Sequence, residues 1–328
     1  MRVHIGLDIG STTAKLMILD EDKQILYKNY LRHFSNVKAA VVKMLQEGLR
    51  SYPSAEATIH ISGSGGMSMA KRLDIPFVQE VIACTEAVEF HIPSTDVVIE
   101  LGGEDAKVIY FQGGIEQRMN AACAGGTGAF IDQISSLMQT DAGGLNELAK
   151  GHEKIYPIAS RCGVFAKTDV QPLLNEGVRK EDIAASVFQS VVNQTVSGLA
   201  CGRPIRGSVA FLGGPLTYLS ELRQRFIETL KLSDEDVVFP EDSQYFVALG
   251  AAMCSMQSPS YLLIDLVKKF NDYNPSIYES DIAALPRLFQ DEQELEDFRE
   301  RHGRNEVRRG DLASYCGGAY LGIDAGST

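Results

Sequence analysis

The sequence predicts an α/β protein with two lobes. Its 328 residues are enough for about two domains. Strand-like and helix-like stretches alternate along most of the chain, which is typical of α/β proteins. One short motif, in which a strand ends near a carboxylate and a glycine turn leads into another strand, occurs twice. The repeat indicates an internal duplication in which the two turns face each other and hold one polyphosphate between them.

The first copy of this motif spans residues 5–15. The apolar run that begins at Ile5 breaks at Asp8, Gly10 follows, and Leu16 resumes the run after Lys15. The intervening turn carries three hydroxyl side chains, namely Ser11, Thr12 and Thr13. Such a turn offers N–H groups and hydroxyls to a phosphate, and a carboxylate beside it suits a water of Mg²⁺. An ordinary hairpin without a ligand is the alternative interpretation.

The second copy joins the predicted strands 96–101 and 106–111. Glu100 lies in the first of these strands, and Gly102, Gly103 and Asp105 form the turn. A third glycine turn, Gly213–Gly214, follows the predicted strand 208–212 and suits a base, sugar or α-phosphate. The chain has no GxxxxGK[ST] sequence, so a P-loop is excluded. Three such turns at strand ends favour a split nucleotide site.

The remaining pattern divides the chain into four segments. Crossover or packing helices are expected over 36–50, 129–138, 180–199 and 245–256. Residues 260–310 are polar and rich in charge, and residues 320–328 nearly repeat residues 4–12. We therefore expect a second, truncated module to begin at residue 320 of a longer chain. The predicted segments are an N-terminal lobe (1–118), a C-terminal lobe (119–256), a charged helical linker (257–319) and the start of the second module (320–328).

Composition excludes several classes of protein. The formal net charge of −12 argues against a nucleic-acid groove as the main surface. No apolar run approaches the roughly 20 residues that a membrane span requires. The N-terminus leads directly into a strand without a signal-peptide pattern. A cytoplasmic protein with no membrane or nucleic-acid partner is expected.

Two of the six cysteines lie just before predicted helices, namely Cys123 and Cys162. A helix N-terminus favours the thiolate form, which binds iron–sulfur clusters. A cluster normally needs four thiolates, so a two-fold dimer would be required to supply them. The alternative is that both are small buried residues. Cys84, Cys201 and Cys254 are expected in the core, and Cys316 has no assignment.

Taken together, these motifs resemble the acetate kinase, sugar kinase and actin superfamily. The segments 6–15, 120–128 and 161–166 are most similar to the activator (activase) component of 2-hydroxyacyl-CoA dehydratases and benzoyl-CoA reductases, and the near-repeat at 320–328 resembles its large fused members. The resemblance implies a two-lobed, actin-like (ribonuclease H-like) ATPase fold with duplicated mixed sheets flanked by helices. It also implies ATP hydrolysis coupled to electron delivery into a partner dehydratase or reductase, with reduced ferredoxin or flavodoxin as electron donor.

The resemblance further assigns cofactors and site residues. It implies ATP or ADP, Mg²⁺ and one [4Fe–4S] cluster that Cys123 and Cys162 of each subunit bridge in a homodimer. Asp8, Glu100 and Asp105 are the expected catalytic group, and Asp8 holds Mg²⁺ through water. Glu100 departs from the family, which usually has Asp there. The expected nucleotide-binding residues are Gly10, Ser11, Thr12, Thr13, Lys15, Gly102, Gly103, Gly125, Gly126, Thr127, Gly213 and Gly214.

Two other classes of function remain open at this stage. The first is a small-molecule kinase of the same superfamily that phosphorylates a sugar or amino sugar, although the sequence has no clear sugar-binding cluster. The second is a nucleotide sensor that binds ATP without turning it over.

Overall fold

The computed structural model describes residues 1–50, 52, 54–120, 125–160, 163–274, 285–307, 309–311 and 313–325. It contains two compact units, Met1–Tyr273 and Asn274–Thr328. Among the described residues, no helix is long and apolar enough to cross a membrane.

The strands of the first unit form two five-stranded sheets. Their orders are β10-β4-β1-β2-β3 and β7-β6-β5-β8-β9. The strands are β1 (Arg2–Ile9), β2 (Thr13–Leu19), β3 (Ile25–Arg32), β4 (Glu56–Ser62), β5 (Val97–Leu101), β6 (Ala106–Tyr110), β7 (Glu116–Met119), β8 (Val209–Leu212), β9 (Val237–Val238) and β10 (Tyr261–Leu262).

The helices of the first unit pack on the sheets and connect their strands. The helices are α1 (Val37–Leu49), α2 (Met67–Leu73), α3 (Glu80–His91), α4 (Gly128–Leu137), α5 (Ala142–Ala149), α6 (Gly163–Asn175), α7 (Lys180–Asn193), α8 (Gly214–Tyr218), α9 (Ser220–Leu230), α10 (Phe246–Cys254), α11 (Leu263–Asp272) and, in the second unit, α12 (Glu292–Gly303). The predicted helix 180–199 is α7 continued by a π-helical segment, Gln194–Leu199.

The two sheets share one plan, which confirms the predicted duplicated α/β fold. In the first sheet, β1 pairs with β2 in antiparallel and with β4 in parallel orientation. In the second sheet, β5 pairs with β6 and β8 in the same two ways. Strands β1 and β5 are buried along nearly their whole length because each has covered faces on both sides. The carboxyl end of each of these strands leads into one of the predicted glycine turns.

Helices α3 and α10 pack between the sheets. Their apolar residues form one cluster with Met17 and Leu19 from the first sheet and with residues of β5, β6 and β8 from the second. Helix α10 approaches β1 so closely that a Cβ on Gly6 would lie 1.8 Å from the carbonyl oxygen of Ala248. It approaches α3 equally closely at Gly250, where a Cβ would lie 1.7 Å from a backbone oxygen. Both contacts require glycine, since backbone atoms on the other side cannot yield.

The sheets divide the chain differently from the segments expected from the sequence. The second sheet begins at Val97, whereas the sequence analysis starts the second lobe at residue 119, because β5–β7 hydrogen-bond to the later strands β8 and β9. Residues 261–272, assigned to a linker from their polarity, complete the first sheet with β10 and pack α11 on α1. Leu266 and Phe270 of α11 are buried there.

The second unit is described by itself from residue 285 onward, apart from its undescribed positions. Helix α12 begins after Asp291, whose carboxylate accepts a hydrogen bond from the Glu294 amide. Its residues are all exposed or half-buried. Residues 320–325 are exposed and form no regular element, and 326–328, the end of the expected second module, lie outside the described residues.

Candidate nucleotide site

Two glycine turns, one from each sheet, face each other across the first unit. The turn after β1 closes with a hydrogen bond from the Gly10 N–H to the Thr13 carbonyl at 2.9 Å. The turn after β5 closes in the same way, from Gly102 to Asp105 at 2.8 Å. A Cβ on Gly103 would lie 2.3 Å from the Thr12 hydroxyl oxygen. A side chain of the first turn therefore contacts the second turn, as the repeated motif predicts.

Each hairpin places a lysine directly opposite its carboxylate. Asp8 is in register with Lys15, and their charged atoms are 2.6 Å apart. Glu100 is in register with Lys107, at 3.7 Å. Burial opposes the charge of Lys15, but the neighbouring Asp8 carboxylate outweighs it and raises the pKa of Lys15 above its ordinary value. The duplication thus extends to one buried carboxylate–lysine pair per lobe.

Lys107 joins three carboxylates around the second turn. It is 3% exposed, forms a 2.5 Å ion pair with Asp105 and also pairs with Glu80, the first residue of α3. Burial alone would lower the pKa of Lys107, but the charges of Glu100, Asp105 and Glu80 raise it well above its ordinary value. The ammonium group therefore remains charged and holds the three carboxylates together.

Glu100 differs from the other acids because one of its buried oxygens accepts no hydrogen bond. The side chain is buried, and its Oε2 atom makes no hydrogen bond. Burial raises the pKa of Glu100 to about 7, and Lys107 only partly opposes this rise. A carboxyl group with this pKa can accept a proton near neutral pH.

A small polar cavity of about 30 Å³ lies between the two turns. Its lining includes the carboxylates of Asp8, Glu80, Glu100 and Asp105, together with Lys15 and Lys107. This volume is sufficient for one water molecule with several polar partners. The cavity is therefore suited to hold a reacting water beside the Glu100 oxygen that accepts no hydrogen bond.

A larger cavity of about 290 Å³ begins at the same turns. It shares Thr12, Lys15 and Gly103 with the small cavity and extends to Gly214 and Tyr218 at the third glycine turn. The third turn reaches this position because Gly213 adopts φ +90° and lies against the Leu101 carbonyl, where a Cβ would meet backbone. The three predicted turns therefore surround one cleft.

The cleft is bridged by groups from both sheets. Arg32 at the end of β3 forms an ion pair with Asp132 on α4 at 2.5 Å, and both line the larger cavity. Lys28 on β3 forms a second such pair, with Asp242, at 2.6 Å. Both pairs are at least partly exposed to solvent and contribute little net stability. They mark β3 as the edge of the first sheet that meets the second lobe.

The start of α4 is attached to the second turn. The N–H groups of Gly128 and Ala129 donate to the carbonyls of Gly102 and Gly103, at 3.0 and 2.7 Å. Both residues line the larger cavity. Of the residues just before them, which the sequence assigned to nucleotide binding, Thr127 is buried and Gly126 packs against the Gln194 side chain. The first residues of α4 are thus fixed to the second turn.

A sequence model of the BadF/BadG/BcrA/BcrD ATPase family matches residues 5–255. The chain belongs to this ATPase family. It is therefore an ATPase, and the expected resemblance is confirmed. The matched span includes all three glycine turns and both buried carboxylate–lysine pairs.

Individual relatives point to the activators within the family. The (R)-2-hydroxyglutaryl-CoA dehydratase activating ATPase of Acidaminococcus fermentans is 30% identical over 214 residues, which cover 64% of this chain and 82% of the relative. The crystal structure of component A of the (R)-2-hydroxyglutaryl-CoA dehydratase from the same organism matches with a TM-score of 0.68 at 28% identity, covering 78% of this chain and 98% of that one. The activator of the 2-hydroxyisocaproyl-CoA dehydratase from Clostridium difficile, solved with bound ADPNP, matches with a TM-score of 0.66 at 25% identity, covering 86% and 100%.

The two cysteines expected to bind a cluster, Cys123 and Cys162, lie outside the described residues. Within the described part of the chain, no three His, Cys, Asp or Glu side chains converge as metal ligands. Carboxylates such as Asp8 and Asp105, which line the small cavity, are of the kind that suits Mg²⁺, since this ion keeps most of its waters and takes phosphate oxygens.

The other cysteines follow the prediction only in part. Cys84 is buried on α3 and Cys254 is half-buried. The expectation that Cys201 is a core residue is wrong, because it is exposed in a turn with φ +45°. Its small-residue surroundings belong to the surface end of the π-helical segment rather than to the interior.

Sequence reasoning missed two residues of the site. Lys107 was detectable, because it follows Glu100 by the same interval that separates Lys15 from Asp8. Glu80 carries no such signal, since it belongs to neither turn and enters the site only because α3 packs between the sheets.

Proposed function

We propose that the chain hydrolyses ATP between the two facing turns in order to activate a partner enzyme. The observation that carries this proposal is the contact between the turns at Thr12 and Gly103, in a chain of an ATPase family. The adenosine lies toward Gly213 and Gly214. The β- and γ-phosphates lie at the turns, where their charge is met by Lys15.

The other groups of the two turns bind the phosphates and the accompanying metal ion. Ser11, Thr12 and Thr13 donate hydrogen bonds to the phosphates, and Gly102 and Gly103 allow the backbone to approach them. Gly10 closes the first turn, and the loop with Gly125, Gly126 and Thr127 supports the second. Asp8 holds a water of the Mg²⁺ ion that accompanies ATP, and that ion neutralises phosphate charge.

Glu100 acts as the general base in this scheme. A water in the small cavity attacks the γ-phosphorus and gives its proton to Glu100, while the bond to the β,γ-bridging oxygen breaks. ADP and inorganic phosphate are the products. Asp105, fixed by Lys107, orients the water. The Oε2 atom of Glu100 supports this role because it accepts no hydrogen bond and lies 3.7 Å from the Lys107 ammonium nitrogen.

The activator role follows from the relatives, which are named for the dehydratases that they activate. Another relative is a subunit of benzoyl-CoA reductase. We infer that the partner of this chain is a 2-hydroxyacyl-CoA dehydratase or a similar reductase. The partner takes one electron at a time, and reduced ferredoxin or flavodoxin supplies it.

Cys123 and Cys162 are the residues that would hold the electron carrier. A [4Fe–4S] cluster bound by two copies of this pair would supply one-electron transfer of low potential. Val164 and Phe165, beside Cys162, are 68% and 65% exposed, which supports a second copy that covers them.

Anaerobic iron and sulfide analysis tests this part of the proposal. We expect about four irons and four sulfides per dimer and absorbance in the visible range. Cys123→Ser and Cys162→Ser should each lose the iron while ATP hydrolysis continues. Cys201→Ser, which changes an exposed cysteine that belongs to neither predicted cluster motif, should retain it. A wild-type dimer without iron, or iron retained in both serine variants, would contradict the cluster assignment.

A further inference from the structure

The residue after β3, His33, is tied to the first phosphate turn by two hydrogen bonds. Its backbone N–H donates to the Thr12 carbonyl at 3.2 Å. Its imidazole Nε2 lies 3.0 Å from the Gly10 carbonyl oxygen. The side chain is 6% exposed. The described lining of the two cavities includes Gly10 and Thr12 but not His33, so His33 lies behind the turn rather than in the cleft.

The imidazole is held in one tautomer by its other nitrogen. The backbone N–H of Ser35 donates to Nδ1 at 3.2 Å, so Nδ1 is the acceptor. In the neutral ring the proton then resides on Nε2, which donates to the Gly10 carbonyl. His33 thus donates two hydrogen bonds to the turn, one from its backbone N–H and one from its imidazole.

The backbone around His33 is strained in a way that preserves this contact. Phe34 and Ser35 have φ values of +45° and +63°, a conformation that non-glycine residues rarely adopt. Phe34 is 83% exposed, so burial of its ring does not account for the strain. Such strain persists where the surroundings fix the conformation, often next to functional sites. Here it brings the Ser35 N–H back onto the imidazole, and Asn36 then caps α1.

Peptide geometry shows what His33 does for the turn. A trans peptide directs its C=O and the following N–H in opposite directions. Because His33 holds the carbonyls of Gly10 and Thr12, the N–H groups of Ser11 and Thr13 are directed away from it. Ser11 and Thr13 both line the small cavity. In a His33 variant the backbone bond to the Thr12 carbonyl remains, but the Gly10–Ser11 peptide loses its imidazole hydrogen bond and is free to rotate and present its oxygen, which repels phosphate.

We propose that His33 is a positioning residue that orients the first turn toward the phosphates of a nucleoside triphosphate. It acts through Gly10 and Thr12 and does not touch the nucleotide. This inference rests on the proposed function only in that the turn binds phosphate. His33 belongs to neither of the two repeated turn motifs. It lies at the corner between β3 and α1.

Two substitutions in the full chain separate positioning from packing. His33→Leu fills the space without a donor, whereas His33→Gln keeps an N–H group that can reach the Gly10 carbonyl. His60→Gln is the matched control, because His60 is a half-buried histidine on β4 whose Nε2 contacts Ser258 at 2.7 Å, away from the turns. The measurements are kcat and KM for ATP, and the affinity for adenosine, which lacks phosphate.

For His33→Leu we expect a loss of roughly 10- to 100-fold in kcat/KM, the usual effect of removing an outer-shell partner. His33→Gln should recover most of that loss, and all variants should bind adenosine like wild type. Wild-type kinetics in His33→Leu, or equal impairment in the Leu and Gln variants, would overturn the proposal. A wild-type chain that binds ATP but does not hydrolyse it would instead refute the proposed function; the ratio of the dissociation constants for ATP and adenosine would then still test His33.

Discussion

Glu100→Gln is expected to lower kcat for ATP hydrolysis by roughly 10²- to 10⁴-fold, the usual contribution of a general base. The amide keeps the shape of the side chain but cannot accept the proton of the attacking water. ATP affinity should change little, because Glu100 faces the water and not the adenosine. Phosphate release from saturating ATP, measured with Glu104→Gln as the exposed neighbour control, checks this result.

The pH dependence of the wild-type enzyme follows from the same carboxyl group. Burial raises the pKa of Glu100 to about 7, and the base must be ionised to act. The rate should therefore rise as pH increases through about 7 and level off above it. Glu100→Gln should remove this dependence from its residual activity. A wild-type rate that is constant from pH 6 to pH 8 would count against Glu100 as the base.

Stability should show the opposite trend with pH. A carboxyl group whose pKa is raised in the folded state binds more protons there than in the unfolded state, so its contribution to stability falls as pH rises. For Glu100 this loss of stability occurs between about pH 4.5, the ordinary pKa of the group, and about pH 7, its pKa in the folded protein. Above about pH 7, the ionised Glu100 side chain lowers the free energy of unfolding by about 3 kcal/mol, and Glu100→Gln should recover up to that amount. Thermal unfolding at pH 8 measures it; a strongly destabilised Gln variant would contradict the account.

Lys107→Met is expected to lower the free energy of unfolding by about 3–5 kcal/mol, as when one partner of a buried ion pair is removed. The substitution leaves Glu80, Glu100 and Asp105 close together without their buried cation. The loss should be smaller at low pH, where these carboxylates can be protonated. Denaturant unfolding at pH 5 and pH 8 measures both effects.

A matched lysine provides the control for this prediction. Lys28 also forms an ion pair, with Asp242, but its side chain is 40% exposed. Lys28→Met should therefore cost no more than about 1 kcal/mol. Adding Glu80→Gln to Lys107→Met should restore part of the lost stability, because it removes one uncompensated charge. Equal losses in the two lysine variants would show that Lys107 does not hold the cluster together.

The two turns of the candidate phosphate site could be predicted because the residues of each turn are local in sequence. Asp8 and the turn that follows it lie within a few positions of one another, and Glu100 repeats the arrangement. Since each turn joins two strands that pair directly, hydrogen bonding alone fixes its shape. The facing of the two turns also followed from the repeat, because each terminates the same strand of a duplicated sheet.

The rest of the site depends on contacts between distant parts of the chain. Glu80 enters because α3 packs between the sheets at Gly250, and no local pattern signals that approach. His33 lies at a corner whose strained backbone at Phe34 has no sequence signature. Polarity misled the assignment of residues 261–272, since α11 presents one apolar face to α1 while its other face is charged. Exposure of Cys201 depends similarly on where α7 ends.

A crystal structure with a non-hydrolysable ATP analogue and Mg²⁺ tests the central claim most directly. We expect the γ-phosphate to lie between the turns, within about 3 Å of donors on both Ser11–Thr13 and Gly102–Gly103. We also expect a water between the γ-phosphorus and Glu100. A triphosphate bound to one turn alone, or one whose γ-phosphate lies away from Glu100, would contradict it.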